Sequence, residues 1–247
     1  DLRLTRRFSY DLWGQQASVT GADGITRHSH NNPLTFIHEQ WTEGMGKTIT
    51  LSNRFDKPLS TEQQDLAGNR LSLQRYRYDG LGNCTEEIDP LGRVSRHRYD
   101  SWGRLLSSTL PDLTVINHTY APHSTAALAT SLAVNPGNQL RPAVTVGEQR
   151  FDGLSRLTRL TVGDRVEQLE YEGARLQPSR RQTPSGKQLT YQYRHGLTTE
   201  PTVIEAPDEN ATFNYDPANG NLDRSSNTQG SYAFTYSATG HLTDETW

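Results

Sequence analysis

YRYDGLGNCTEEIDPLGRVSRHRYDSWGRLLSS, residues Tyr76 to Ser108, contains the same short pattern twice. Tyr78-Asp79-Gly80-Leu81-Gly82 and Tyr99-Asp100-Ser101-Trp102-Gly103-Arg104 begin 21 residues apart. Between them lies a second turn signal, Asp89-Pro90-Leu91-Gly92-Arg93. Outward from this block the aromatic anchor continues at Tyr120, another 21 residues on. A further run, Phe151-Asp152, Tyr171, Tyr193, Tyr215-Asp216 and Tyr236 with Gly240, advances in steps of 20, 22, 22 and 21. Upstream, Tyr10-Asp11-Leu12-Trp13-Gly14, Phe55 and Tyr78 are 45 and 23 apart, which leaves room for one degenerate unit near Leu34 to Phe36. The interval from Tyr120 to Phe151, at 31, departs from the rhythm. A fixed period over most of a chain specifies one supersecondary unit stacked many times.

Each period holds two turns. Half a period from the anchors lie Asp65-Leu66-Ala67-Gly68-Asn69, Asp89-Pro90-Leu91-Gly92-Arg93, Thr183-Pro184-Ser185-Gly186-Lys187 and Ala206-Pro207-Asp208. Pro presets one turn position, Asp or Asn bonds its own backbone, and Gly takes the left-handed site. The segments between turns are strand-sized and alternate: Tyr76 with Tyr78, Tyr191 with Tyr193, Phe213 with Tyr215, Phe234 with Tyr236. Each unit is therefore expected to be a β-hairpin, with Asn219-Gly220 a hairpin-turn dipeptide in its own right. The fold class expected is all-β: about eleven tandem hairpins in one continuous antiparallel sheet. Twist accumulates across so many strands, so the sheet should curve into a wall or spiral with a concave side. One domain over 1–247 is expected, with irregular stretches at about 21–46 and 121–150. In the second of these an irregular loop or a decayed repeat would account for Ser124 to Ala133 and Asn135-Pro136-Gly137-Asn138.

Only 32% of the 247 residues are hydrophobic and mean hydropathy is −0.78. Disorder would pair that with few aromatics and high net charge. This chain is 9% aromatic with net charge −3, so an ordered sheet with a solvated polar face fits better. Near-neutral balance argues against nucleic acid or an anionic membrane as main partner. Cys84 is the single cysteine, which excludes an intramolecular disulfide. No apolar run approaches a membrane span, and no signal peptide is visible. A chain that starts at Asp1 and has Met45 as its one methionine reads as a piece of something longer.

The quoted block resembles two consecutive RHS repeats, also called YD repeats. These consist of an aromatic-Asp pair, a Gly-Arg or Gly-Asn turn, and a strand to the next Asp-Pro-x-Gly-Arg. The resemblance is best from Leu73 to Tyr120 and from Arg150 onward. The signature residues it marks are Tyr10, Asp11, Tyr78, Asp79, Gly82, Asp89, Pro90, Gly92, Arg93, Tyr99, Asp100, Gly103, Arg104, Phe151, Asp152, Tyr193, Tyr215, Asp216, Tyr236 and Gly240. Such repeats occur in bacterial Rhs toxins, in Tc insecticidal complexes and in teneurins. The resemblance implies a segment of a hollow β-shell that encapsulates a C-terminal toxic polypeptide in a secreted bacterial virulence factor. The partners it implies are the rest of the shell, the enclosed toxin, and a toxin-complex or secretion-spike delivery partner. Tyr120-Ala121-Pro122 departs from the pattern, and no self-cleavage segment follows Tyr236. The alternative function is a carbohydrate-binding or adhesion module that uses the aromatic face.

No catalytic, metal or cofactor site is expected. Recurrence at every turn makes the Tyr-Asp pairs scaffold: Tyr rings in a cross-strand ladder, Asp accepting turn N–H groups. His28 and His30, with His38 and Glu39 near, fall short of four zinc ligands at motif spacing. Cys84 has no base placed for it and no Gly-x-Ser-x-Gly elbow exists. Glu86 and Glu87, adjacent on a strand, should point to opposite faces, and Asp89 should diverge from Glu86. Arg96, Arg98 and Arg180-Arg181 read as solvated-face residues pairing with Asp or Glu, or else as a hold on acidic cargo.

Overall fold

The computed structural model describes residues 5–137 and 141–247, and every regular element among them is a β-strand. In chain order these are β1 (Arg7–Tyr10), β2 (Gln16–Thr20), β3 (Thr26–Asn32), β4 (Ile37–Thr42), β5 (Lys47–Ser52), β6 (Pro58–Gln64), β7 (Arg70–Tyr78), β8 (Cys84–Ile88), β9 (Val94–Tyr99), β10 (Leu105–Thr109) and β11 (Val115–Tyr120). There follow β12 (Ala129–Asn135), β13 (Val144–Phe151), β14 (Leu157–Val162), β15 (Arg165–Tyr171), β16 (Pro178–Gln182), β17 (Gln188–Tyr193), β18 (Pro201–Glu205), β19 (Asn210–Tyr215), β20 (Leu222–Ser226), β21 (Ser231–Tyr236) and β22 (Leu242–Thr246). The 22 strands form an antiparallel sheet, matching the eleven hairpins expected from the period.

Two compact units divide the chain, where one domain was expected: Asp1–Asn117 with Asn135–Pro142, and His118–Val134 with Ala143–Trp247. In the first, each strand from β1 to β11 pairs with its successor, as in Arg77↔Glu86 between β7 and β8 and Glu86↔Arg96 between β8 and β9. The second repeats this from β12 to β22. Within each unit the described strand contacts are between sequence neighbours, as in a quasi-one-dimensional ribbon.

Both stretches read as irregular contain regular strands. Residues 21–46 hold β3 and β4, which pair in register from Arg27↔Thr42 to Asn32↔Ile37. The motif is weak there because other residues make the turns: Asn32 Oδ1 accepts the N–H groups of Leu34 and Thr35, and Phe36 takes φ 58°. The degenerate unit at Leu34 to Phe36 is thus a complete hairpin. In 121–150, β12 and β13 form one ordinary unit, and longer connections around it make up the extra length. Ala121 closes the first of these with its N–H on the Leu128 carbonyl. Asn138, like Asp1, lies outside the described residues.

Among the described residues, strand contacts within each unit run only between neighbours in the sheet, which leaves little conventional core. Among the described residues only Ala121 and Ser108 are buried, at 2% and 8% exposure. Alternation makes one face half-buried and the other open. Tyr76, Tyr78, His97 and Tyr99 lie on the half-buried side, whereas Arg75, Arg77, Arg96 and Arg98 are exposed. The open face also carries hydroxyl pairs across strands, Thr212 with Ser226 at 2.6 Å and Thr235 with Thr243 at 3.0 Å.

Candidate functional site

The Asp of each motif closes its turn through the backbone. Asp79 Oδ1 accepts the N–H groups of Leu81 and Asn83, both at 2.9 Å, while its Oδ2 accepts from Asn83 Nδ2. Gly82 N–H donates to the Asp79 carbonyl and Asp79 N–H to the Asn83 carbonyl. This is a three-residue hairpin loop with a bulge at its left-handed position, Gly82 at φ 83°. Asp11, Asp89, Asp100 and Asp152 make the same pair of bonds. Gly92 (φ 78°) and Gly103 (φ 77°) fill the same position, whereas Ser155 is forced into it at φ 64°. Asn219-Gly220 does not make a two-residue turn. Tyr215 pairs with Leu222 across a longer loop, in which Asp216 accepts from Ala218 and Gly220.

Where Arg follows the left-handed residue, it locks the same carboxylate. Arg93, Arg104 and Arg156 place Nε 2.6, 2.6 and 2.7 Å from Oδ2 of Asp89, Asp100 and Asp152. Arg156 also donates to the carbonyls of Gly173 and Arg175 and lies over the Tyr171 ring, its guanidinium carbon 4.5 Å from the centroid. These bonds hold the Asp152 carboxyl below its ordinary range, the Arg156 hydrogen bond foremost, and those from Asn83 do the same for Asp79.

The tyrosines do not form a cross-strand ladder. The partners directly opposite Tyr78, Tyr99, Tyr193, Tyr215 and Tyr236 are Cys84, Leu105, Pro201, Leu222 and Leu242. Anchors sit on alternate strands, about 10 Å apart, too far for ring to meet ring. Instead the phenols of Tyr78, Tyr171, Tyr193, Tyr215 and Tyr236 reach back to the preceding hairpin. Tyr193 Oη donates to the Pro178 carbonyl at 2.9 Å, Tyr215 to Pro201 at 3.2 Å and Tyr236 to Leu222 at 3.1 Å. Tyr171 donates to Leu157 at 2.7 Å and Tyr78 to Pro58 at 2.9 Å. Leu157, Pro178, Pro201 and Leu222 sit opposite the preceding anchors Phe151, Tyr171, Tyr193 and Tyr215 at register shifts, and Pro58 sits opposite Ser52 at another. A bulge disrupts the ladder and leaves a backbone group to be satisfied, which the next hydroxyl supplies. Burial raises the phenols of Tyr171, Tyr193 and Tyr215 above their ordinary value. Choice of Tyr over Phe at these anchors was the one sequence signal for this bond. Phe151 has no hydroxyl, and Tyr10 at the first strand is exposed.

The histidines named from sequence separate. His28 stacks on Trp41 at 4.8 Å, His30 faces Glu39 at 3.6 Å, and His38 bonds Ser29 at 2.9 Å. Among the described residues no group of His, Cys, Asp or Glu is placed to hold a metal. Trp41 borders an open groove of about 420 Å³ with Gln16, Arg27 and Gln40. Its ring is already flanked by His28 and by Lys47, whose Nζ lies 5.0 Å from the centroid, so it offers no free stacking face for a sugar. Glu86 and Glu87 do diverge: Glu86 meets Arg77 and Arg96, whereas Glu87 lies 3.9 Å from His97 Nε2. His97 Nδ1 is 2.9 Å from Ser108 Oγ, a pair that sequence reasoning missed because only register brings it together. Cys84 Sγ, beside Glu87, has its thiol pushed up by burial and by that carboxylate, the reverse of an activated nucleophile.

An RHS Repeat family model matches residues 78–115. A curated relative, "Probable deoxyribonuclease RhsB" of Dickeya dadantii (strain 3937), is 32% identical over 105 residues. That match takes in 42% of this chain, and the chain spans 7% of the relative's length. Among solved structures, TcdB2-TccC3 without its hypervariable C-terminal region aligns with 98% of this chain and 15% of its own, at 14% identity and TM-score 0.49. The Photorhabdus luminescens Tc holotoxin pore aligns with 97% of this chain and 17% of its own, at 12% identity and TM-score 0.38.

Proposed function

We propose that this chain, which belongs to the RHS/YD-repeat proteins, serves as a wall segment of a toxin shell and acts structurally rather than as an enzyme. The carrying observation is that each unit is an antiparallel ribbon of sequence-neighbouring strands, in whose described residues the repeated motif is consumed by turns and staples. A domain normally buries an apolar face against another layer. Among the described residues of each unit the half-buried tyrosine face has no such layer, which suits a wall that encloses something. The small share of its relative that the chain spans supports placing it within a longer protein. The deoxyribonuclease named for that relative is said of that protein, of whose length this chain spans 7%.

In this reading the longer protein is a secreted bacterial toxin. Its wall keeps a toxic polypeptide from proteases until delivery, and the remainder of the shell supplies the missing strand partners at β1 and β22. No helix among the described residues is long and apolar enough to cross a membrane. The test is limited proteolysis of the complete protein beside its C-terminal polypeptide expressed alone. The enclosed polypeptide should survive intact in the first and be degraded in the second. Equal degradation rates would overturn the enclosing role, and selective binding on a glycan array would favour the carbohydrate-binding alternative.

A further inference from the structure

The open face of β7 to β9 concentrates positive charge far beyond what its acids neutralise. Arg75 and Arg77 on β7 and Arg96 and Arg98 on β9 are all exposed, and the strand between them contributes one carboxylate, Glu86. Cross-strand register places Arg77, Glu86 and Arg96 side by side. Arg77 Nη1 is 3.3 Å from Glu86 Oε1 and Arg96 Nε 3.4 Å from Oε2, with the two arginine side chains 72% and 64% exposed. Arg75 and Arg98 have no ion-pair partner among the described residues. The nearest further acid on this face, Glu62, is taken by Arg70 at 2.8 Å. The contrast is with β15 and β16, where Glu167 meets Arg181 and Glu170 meets Arg180, one to one. In a chain of net charge −3, four exposed arginines sharing the face of β7 to β9 with one carboxylate are a local reversal of sign.

We propose that Arg75, Arg77, Arg96 and Arg98 form a docking surface for an acidic, extended polypeptide segment. Guanidinium is the side chain suited to carboxylate, and Glu86 already shows the mode, one carboxylate held between β7 and β9. Spacing favours an extended peptide. Arginines two apart on a strand lie about 6.6 Å from each other, the repeat of alternate side chains along a β-strand. A Glu-x-Glu segment therefore presents successive carboxylates in step with Arg75 and Arg77, or with Arg96 and Arg98. A long polyanion such as nucleic acid fits less well, because its continuous charge runs off the quartet onto a net acidic chain. This inference goes beyond the wall role and does not depend on what the wall encloses.

The experiment is fluorescence anisotropy of the intact chain with a labelled alternating Glu-Thr peptide, and with its Gln-Thr counterpart, across a salt series. Binding of the acidic peptide alone is expected, and it should weaken as salt rises. Arg75→Gln with Arg98→Gln removes two charges that hold nothing else in place, so weakening of about tenfold is expected. Glu86→Gln frees Arg77 and Arg96 and should tighten binding, whereas Arg165→Gln, outside the patch, should leave it unchanged. No binding at low salt, equal binding of the Gln-Thr peptide, or an unchanged affinity in the double variant would overturn the proposal. So would a single-stranded oligonucleotide that binds more tightly than the peptide.

Discussion

Replacing Tyr193 with Phe keeps the ring and deletes one hydroxyl, so it isolates the bond that ties β17 to the start of β16. The donor–acceptor distance to the Pro178 carbonyl is 2.9 Å, within the normal range for O–H···O. A net contribution of about 0.5–1.5 kcal/mol is typical of such a bond. Tyr193 is only half-buried, so water can partly replace the lost donor, which places the expected cost near 1 kcal/mol. Through RT this is roughly a fivefold rise in local opening. Amide hydrogen exchange is the suitable assay, because a ribbon of nearest-neighbour contacts opens locally before it unfolds globally. Amides of β16 and β17 should lose about fivefold protection, those of β19 onward little. Tyr232→Phe provides the control, since that ring is exposed and packs on Trp247 at 6.3 Å. Equal effects of the two substitutions, or none at β16, would refute the hydroxyl's role and leave ring packing as the whole contribution of the anchors.

Acid should loosen the turns in a set order of cause. The Asp79 and Asp152 carboxyls lie below their ordinary value in the folded chain, so their contribution is complete above the unfolded value and is lost as pH falls through the folded one. Carboxyl NMR titration together with exchange at Leu81 and Leu154 would check this, and turn amides unchanged in strong acid would contradict it. Ser155→Gly should raise stability by about 0.5 kcal/mol by relieving a left-handed serine at φ 64°, read as an upward shift of the urea midpoint. Gly46→Ala should cost about 1–3 kcal/mol, because a Cβ there would lie 2.0 Å from the Gln64 carbonyl oxygen. Its signature is lost exchange protection at the paired ends of β5 and β6.

Much of this fold could be read from the chain because its determinants are local. Period, strand alternation and the Asp-Gly turn chemistry each operate within a few residues of Tyr78 or Asp89. The degenerate unit near Phe36 could be counted but not recognised as regular, because Asn32 does there what Asp79 does elsewhere. What escaped depends on register. The tyrosine acceptors Pro178, Pro201 and Leu222 are ordinary residues until a bulge disrupts their pairing. Likewise the Ser108–His97 pair and the meeting of Arg77 and Arg96 on Glu86 exist only once β7 to β10 are aligned. A ladder of rings was the natural expectation from recurrent tyrosines, and alternate-strand placement defeated it.

The tyrosine bonds all run in one direction: Tyr171, Tyr193, Tyr215 and Tyr236 each donate to a carbonyl earlier in the chain. A hairpin emerging from the ribosome therefore finds its fastening carbonyl already synthesised, while its own bulge carbonyl is met by the tyrosine of the next unit. Assembly can advance like a ratchet, each newly made tyrosine securing its own unit to the one before. Loss runs the other way: fraying at the C-terminal edge withdraws a donor without disturbing the turns upstream. Synthesis and resistance to unravelling thus share one polarity, written in the order in which tyrosine and carbonyl occur along the chain.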